Sequence, residues 1–192
     1  MRLAFFASGS GSSMRAIVAA CRAGEIAAEP VLLIANRDCK AIAFAADNGF
    51  AHKIIPTVGP EGDVADDRTA AALREAGADW VILSGYLRKL GPKVLAGWSG
   101  RILNIHPALL PDFGGEGMYG RRVHEAVIAA EVLESGATVH YVDGEYDHGD
   151  ILAQERVAVR PGDTAEDVEA RVMAIEPALF VRTLKALAAR SP

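Results

Sequence analysis

The strongest constraint on how this chain folds is the recurrence of short, continuously apolar runs separated by helix-length segments. RLAFFAS (2–8), EPVLLIAN (29–36), AHKIIP (51–56), DWVILSG (79–85) and GRILNI (100–105) read as strands. Between them, GSSMRAIVAACRAG (11–24) reads as a helix with Ser12 or Ser13 as N-cap and Gly24 at its far end. KAIAFAADNG (40–49) is a second helix, closed by Gly49. After a loop at 57–63, VADDRTAAALREAG (64–77) is a third, and GPKVLAGW (91–98), with Pro92 near its start, is a short fourth. A strand that is apolar on both faces needs cover on both. The alternation therefore predicts an α/β architecture, a parallel sheet with helices on each side. In such sheets the working residues collect beyond the carboxyl ends of the strands.

The pattern changes after residue 113. RVHEAVIAAEV (122–132) reads as a helix. SGATVHYVDG (135–144) and DILAQERVAV (150–159) alternate more, are separated by EYDHG, and predict an antiparallel pair. TAEDVEARVMAIEPALFVRTLKAL (164–187) is a long helix, with Thr164 and Asp167 spaced for a capping-box variant and Pro177 placed to kink it. With 192 residues and no repeat, low-complexity tract or linker, the chain is expected to form a single domain over 1–192.

The net charge is −5 and no block of like charge stands out, so a basic footprint for nucleic acid is missing. The N-terminal apolar run is too short for a signal peptide or a membrane span. Cys21 and Cys39 form no CxxC and read as free thiols of a reducing cytoplasm. A soluble cytoplasmic protein is expected, with neither nucleic acid nor membrane as partner.

Two stretches carry chemistry. SGSGSSMRA (8–16) joins the first strand to the first helix. Its glycines permit a tight turn, and hydroxyls with free amides at a helix N-terminus suit a phosphate. A plain turn is the simpler alternative. A dinucleotide fits less well: Met14 occupies the third small position, the second strand ends in NRD, and there is no Walker lysine. A phosphate carried by a substrate is therefore expected.

The second stretch is LNIHP, at the end of the fifth strand. Period-two alternation sends Asn104 and His106 to the same side, where an amide and an imidazole can face one developing oxyanion. Asp147, in DGEYDHGDI, is the candidate carboxylate that orients His106 and favours its imidazolium. Asp143, Glu145 and Asp150 read as a solvated turn. The histidines show no HxxxH or HxH spacing, so no metal is expected. A serine hydrolase is disfavoured because no GxSxG follows a strand.

From SGSGSS through LSGYLRKLGP, RILNIHPALLP and DHGDILAQ to ARVMAIE, the chain resembles the phosphoribosylglycinamide (GAR) formyltransferase family of purine synthesis. The resemblance implies a Rossmann-like, mostly parallel twisted sheet with helices on both faces and an antiparallel C-terminal strand pair. It also implies a phosphate-binding half (1–100) and a catalytic, folate-binding half (101–192). In the implied reaction the amine of GAR attacks the formyl carbon of 10-formyltetrahydrofolate, the co-substrate. By matching position, Asn104 and His106 would stabilise the oxyanion and Asp147 would hold His106 and help move the amine proton. Gly11, Ser12 and Ser13 would bind the substrate phosphate, and Glu176 the ribose or amine. The folate would lie along Arg88, Lys89 and Leu90, and against Asn104, Val142, Asp143 and Asp147. A monomer or a homodimer is consistent with this.

The sequence departs from the family's pattern at four places. Ser13 stands where an Asn is usual, and Ser135 where a His is common. His148 replaces a small residue beside Asp147. FGGEGMYGRRVHEAVI (113–128) replaces a shorter segment, and there Arg121 or Arg122 is a candidate for the phosphate. Among rivals, 10-formyltetrahydrofolate hydrolase is expected to carry an N-terminal regulatory domain before the first strand, and methionyl-tRNA formyltransferase an RNA-binding domain beyond Pro192. A sugar-nucleotide formyltransferase and a non-catalytic nucleotide- or folate-binding protein complete the alternatives.

Overall fold

In a computed structural model, described here for residues 1–58 and 64–190, seven strands form one sheet in the order β3-β2-β1-β4-β5-β6-β7. The strands are β1 (Arg2–Ala7), β2 (Glu29–Ala35), β3 (Ala51–Ile54), β4 (Trp80–Leu83), β5 (Ile102–His106), β6 (Glu134–Tyr141) and β7 (Ile151–Ala158). The helices are α1 (Ser12–Arg22), α2 (Lys40–Asp47), α3 (Ala65–Glu75), α4 (Pro92–Gly97), α5 (Arg121–Ala129) and α6 (Ala165–Ala188). Strands β1 to β5 pair in parallel. Strand β6 runs antiparallel to both β5 and β7. The expected mostly parallel sheet with an antiparallel C-terminal pair is thus present. Most of the loop expected at 57–63 lies outside the described residues.

Strand alternation divides the core in two. Leu3, Phe5 and Ala7 of β1 pack on one face, with Met14 and Ile17 of α1 and Val168 and Val172 of α6. Ala4 and Phe6 pack on the other, with Ala70 and Leu73 of α3, Val94 of α4 and Trp98 at that helix's C-cap. Strands β1, β2 and β4 are buried along most of their length because each face has its own helical cover, whereas the edge strands β3 and β7 are exposed or half-buried. Helix α6 runs unbroken through Pro177 and begins with the expected capping box: Thr164 Oγ1 accepts from the Asp167 amide, and Asp167 accepts from the Thr164 amide. Val172 is fully buried between α6 and the sheet. Val172→Ala is expected to lower stability by about 2 kcal/mol, from lost transfer energy plus a small cavity; urea unfolding followed by far-UV dichroism measures it.

The N-cap of α1 differs from expectation. It is Gly11, in the left-handed region at φ 63, with no side-chain cap. Ser12 and Ser13 instead open the helix, and Ser13 is buried. A Cβ at Gly11 would meet Met14 Cε at 3.0 Å and Ala41 Cβ at 3.3 Å, so both the dihedral and the packing select glycine.

The order of the strands positions the site. The chain winds outward from β1 to β3, then returns to place β4 on β1's other side. The loops leaving β1 and β4 diverge at that point and open a crevice beyond their carboxyl ends.

Candidate functional site

A cavity of about 640 Å³ occupies this crevice. Its walls come from the turn after β1 (Gly9–Ser13), the loop after β4 (Ser84–Leu90) and the end of β5. The loop between β6 and β7 and one face of α6 complete it. The residues to which the resemblance gave a catalytic, substrate or folate role all line this one space: Gly11, Ser12, Ser13, Arg88, Lys89, Leu90, Asn104, His106, Val142, Asp143, Asp147 and Glu176.

The Gly-rich turn is held from outside. Arg15 Nε donates to the Ser10 carbonyl at 2.9 Å and its Nη2 to the Lys40 carbonyl at 3.1 Å, while the guanidinium lies over the Phe44 ring. The Met14 amide is taken by Ser84 Oγ and the Arg15 amide by the Gly11 carbonyl. The amides of Ser12 and Ser13 remain at the positive end of α1, on the cavity wall, as an anion site requires.

Beyond β4, the antiparallel register of β5 and β6 sets Asn104 opposite His140 and His106 opposite Thr138. Residues directly opposite share a face of the sheet. Asn104 Nδ2 lies 3.2 Å from His140 Nε2. Asp147 comes in from the β6–β7 loop: its Oδ2 is 3.3 Å from His106 Nδ1 and its Oδ1 is 3.6 Å from His140 Nε2. Its backbone sits at φ 54, a region that non-glycine residues other than Asp and Asn rarely adopt. Burial works to raise the Asp147 carboxyl, but the His106 bond and charge, with the Gly115 amide and His140, outweigh it. The net position is below the ordinary carboxylate value.

The segment from 113 onward, divergent in sequence, proves to be part of the site. His106 Nε2 is 2.8 Å from the Phe113 carbonyl, and the Gly115 amide donates to Asp147 Oδ2 at 3.0 Å. Both ring nitrogens of His106 therefore face oxygen acceptors. Thr138 Oγ1, buried under the loop, donates to the Ala108 carbonyl and accepts from the Leu110 amide, while Gln154 Nε2 donates to the Leu110 carbonyl. The Leu110–Pro111 peptide is cis. Gly114 packs so close that a Cβ there would come within 2.5 Å of Leu110 Cδ2 and 3.2 Å of Asp147 Cβ. A larger residue would have to displace the Leu110 side chain and press on Asp147.

The two arginine candidates separate. Arg121 pairs with Glu166 and Glu169 of α6, which ties α5 to α6. Arg122 lines the cavity with its guanidinium over the Tyr119 ring. His148 pairs with Asp143 at 3.0 Å on the exposed side of the loop. Burial pushes the Glu176 carboxyl up to about 7, with His106 pulling it down less strongly and Glu169 adding to the rise.

Sequence reasoning passed over His140 and His124, both cavity-lining and almost fully buried. A trace of His140 was available, since Thr138 and His140 alternate with the apolar Ala137 and Val139 in β6. His124 showed only a place in a helix, yet its Nδ1 is buried without a hydrogen-bond partner. Burial lowers its imidazole below the ordinary value against the pull of Glu169. Among the described residues no group of three or more His, Cys, Asp and Glu is arranged to hold a metal ion.

Residues 1–184 match the family model described as formyl transferase. A chloroplastic phosphoribosylglycinamide formyltransferase of Arabidopsis thaliana is 40% identical over 189 residues, which cover 97% of this chain and 65% of that protein. The corresponding protein of Vigna unguiculata is 40% identical and is covered over 60% of its length. The chain thus spans just under two thirds of these plant relatives. Phosphoribosylglycinamide formyltransferase of Haemophilus influenzae is 32% identical over 96% of this chain and 85% of that one. Among solved structures, phosphoribosylglycinamide formyltransferase from Bacillus halodurans superposes with a TM-score of 0.91 at 34% identity, over 100% of this chain and 97% of that one.

Proposed function

The chain belongs to the formyl transferase family, and from that membership we propose that it transfers a formyl group from 10-formyltetrahydrofolate to the amine of GAR in de novo purine synthesis. The observation that carries the proposal is the convergence of Asn104, His106 and Asp147 on a cavity that the Gly9–Ser13 turn also lines. That arrangement offers a phosphate site and an acyl-transfer site in a single space.

The residues have the chemistry the reaction needs. The free amides of Ser12 and Ser13 and the dipole of α1 suit the phosphate of GAR. Glu176 faces the same space and suits hydroxyl or amine groups. Leu83, Leu90, Leu95 and Val142 give apolar walls, and the backbone of 87–90 gives polar edges, which is what a flat pterin requires. As the amine bonds to the formyl carbon, the carbonyl oxygen becomes an oxyanion, to which Asn104 and His106 donate. Asp147 accepts the amine proton, directly or through water. Collapse breaks the bond to the folate nitrogen, which takes up a proton. His106 Nε2 is the donor aimed at the oxyanion, because Nδ1 is held by Asp147. Turnover then requires the Phe113 carbonyl to share or release Nε2. The proposal keeps the cytoplasmic setting, the small-molecule partners and the monomer or homodimer read from the sequence.

The test is an assay of the purified protein with GAR and 10-formyltetrahydrofolate, following formyl-GAR and tetrahydrofolate together. Equal appearance of both supports transfer. Tetrahydrofolate and formate without formyl-GAR would mark a hydrolase, and binding without either product a non-catalytic protein.

A further inference from the structure

His140 is almost completely buried and lies in the strand beside Asn104, yet the proposed mechanism gives it no task. Its hydrogen bonds assign its tautomer. Nδ1 is 2.8 Å from the Tyr141 carbonyl, which can only accept, so Nδ1 carries a proton. Nε2 then has two neighbours. Asn104 Nδ2 is at hydrogen-bond distance, 3.2 Å, whereas Asp147 Oδ1 is at 3.6 Å. Asp147 Oδ2 has other donors, the Gly115 amide and His106. A bare Nε2 accepts from Asn104. A protonated Nε2 would do the opposite: it would turn the Asn104 amide over to present Oδ1, and it would compete with His106 for Asp147.

We propose that His140 is a positioning residue for Asn104: with Nδ1–H fixed on the Tyr141 carbonyl, its bare Nε2 accepts one N–H of the Asn104 amide and so leaves the second N–H for the reacting oxygen. The inference rests on the reading of Asn104 as an oxyanion donor. Burial supports it, since it pushes the His140 imidazole below its ordinary value. The Tyr141 carbonyl, Asp147 and Asp143 pull the other way, and His106 adds to the lowering. An amide free to flip offers a donor in one orientation and a repelling oxygen in the other. The partner that prevents flipping therefore acts on the rate and not on substrate affinity.

The test compares kcat and both KM values for His140→Leu, His140→Gln, Asn104→Ala and the His140→Leu/Asn104→Ala double variant. His140→Leu is expected to lower kcat about ten- to a hundredfold, the range for losing a group that orients a working one, with little change in either KM. His140→Gln, whose Oε1 can still accept, is expected to recover most of that loss. In the Asn104→Ala background His140→Leu is expected to cost nothing more, because the amide it orients is gone. An equal loss in both backgrounds overturns the positioning role. If Asn104→Ala alone keeps a normal kcat, the reading of Asn104 itself fails, and the two failures are thereby distinguished. Should His140→Leu not fold, the ring nitrogens of His140 in the unaltered protein decide by ¹⁵N NMR at neutral pH. A neutral ring protonated on Nδ1 supports the proposal, and an imidazolium or an Nε2–H tautomer overturns it.

Discussion

His106→Ala is expected to lower kcat about a hundredfold or more, the usual scale for removing an oxyanion donor. The imidazole is buried, between Asp147 on one side and the Phe113 carbonyl on the other, so no solvent or neighbouring donor takes its place readily. The KM for GAR should change much less, because the proposed phosphate site follows β1, which β4 separates from β5 and His106. A second readout follows from Asp147. Burial is the largest influence on that carboxyl and raises it; the bond and charge of His106 are the next two and lower it. Removing His106 leaves burial in command, and the carboxyl moves upward. The residual activity should therefore fall away at higher pH than in the unaltered protein as pH is lowered, since Asp147 must be ionised to accept a proton. Steady-state kinetics across pH measures both effects. A near-normal rate would remove His106 from the mechanism.

Asp147→Asn is expected to abolish most turnover, by about a hundredfold or more, while GAR binding is largely kept. Asparagine is the informative replacement. It accepts the left-handed backbone at φ 54 about as well as aspartate, and its carbonyl oxygen can still take the Gly115 amide. The negative charge, the ability to hold a proton and one of the two acceptor oxygens are lost. Calorimetric titration with GAR, set beside kcat, separates the roles: affinity that fell as far as the rate would mean that Asp147 holds substrate instead of moving a proton.

The proposed site was legible in the sequence wherever its parts are local. Asn104 and His106 are two residues apart at the end of an apolar run, and strand alternation alone aligns them. The Ser-rich turn after β1 announced a helix N-terminus. The N-cap was misassigned there because serine is the commoner cap, while the packing of Met14 and Ala41 around Gly11 selects the left-handed glycine. Asp147 was reached by its loop and by family likeness; nothing local distinguishes it from Asp143 or Asp150. The stretch at 113–115 looked like a departure from pattern. In the fold it supplies a carbonyl to His106 and an amide to Asp147, and backbone groups leave no signature in residue types.

What this chain's sequence determined by itself is the alternation of strand and helix, the two-sided burial of β1, β2, β4 and β5, the capping box of α6 and the placing of Asn104 and His106 at a strand end. Those follow from periodicity and turn chemistry, which act over a few neighbouring residues. Only the tertiary structure decided that β4 lies against β1 and opens the crevice, that β6 pairs with β5 in the register setting His140 beside Asn104, and that Asp147 and Phe113 close on His106. A one-residue slip of that register would satisfy the same backbone hydrogen bonds but turn His140 to the other face. The choice is made by how the whole of β6 packs between its neighbouring strands and α6, a property no short window of sequence contains.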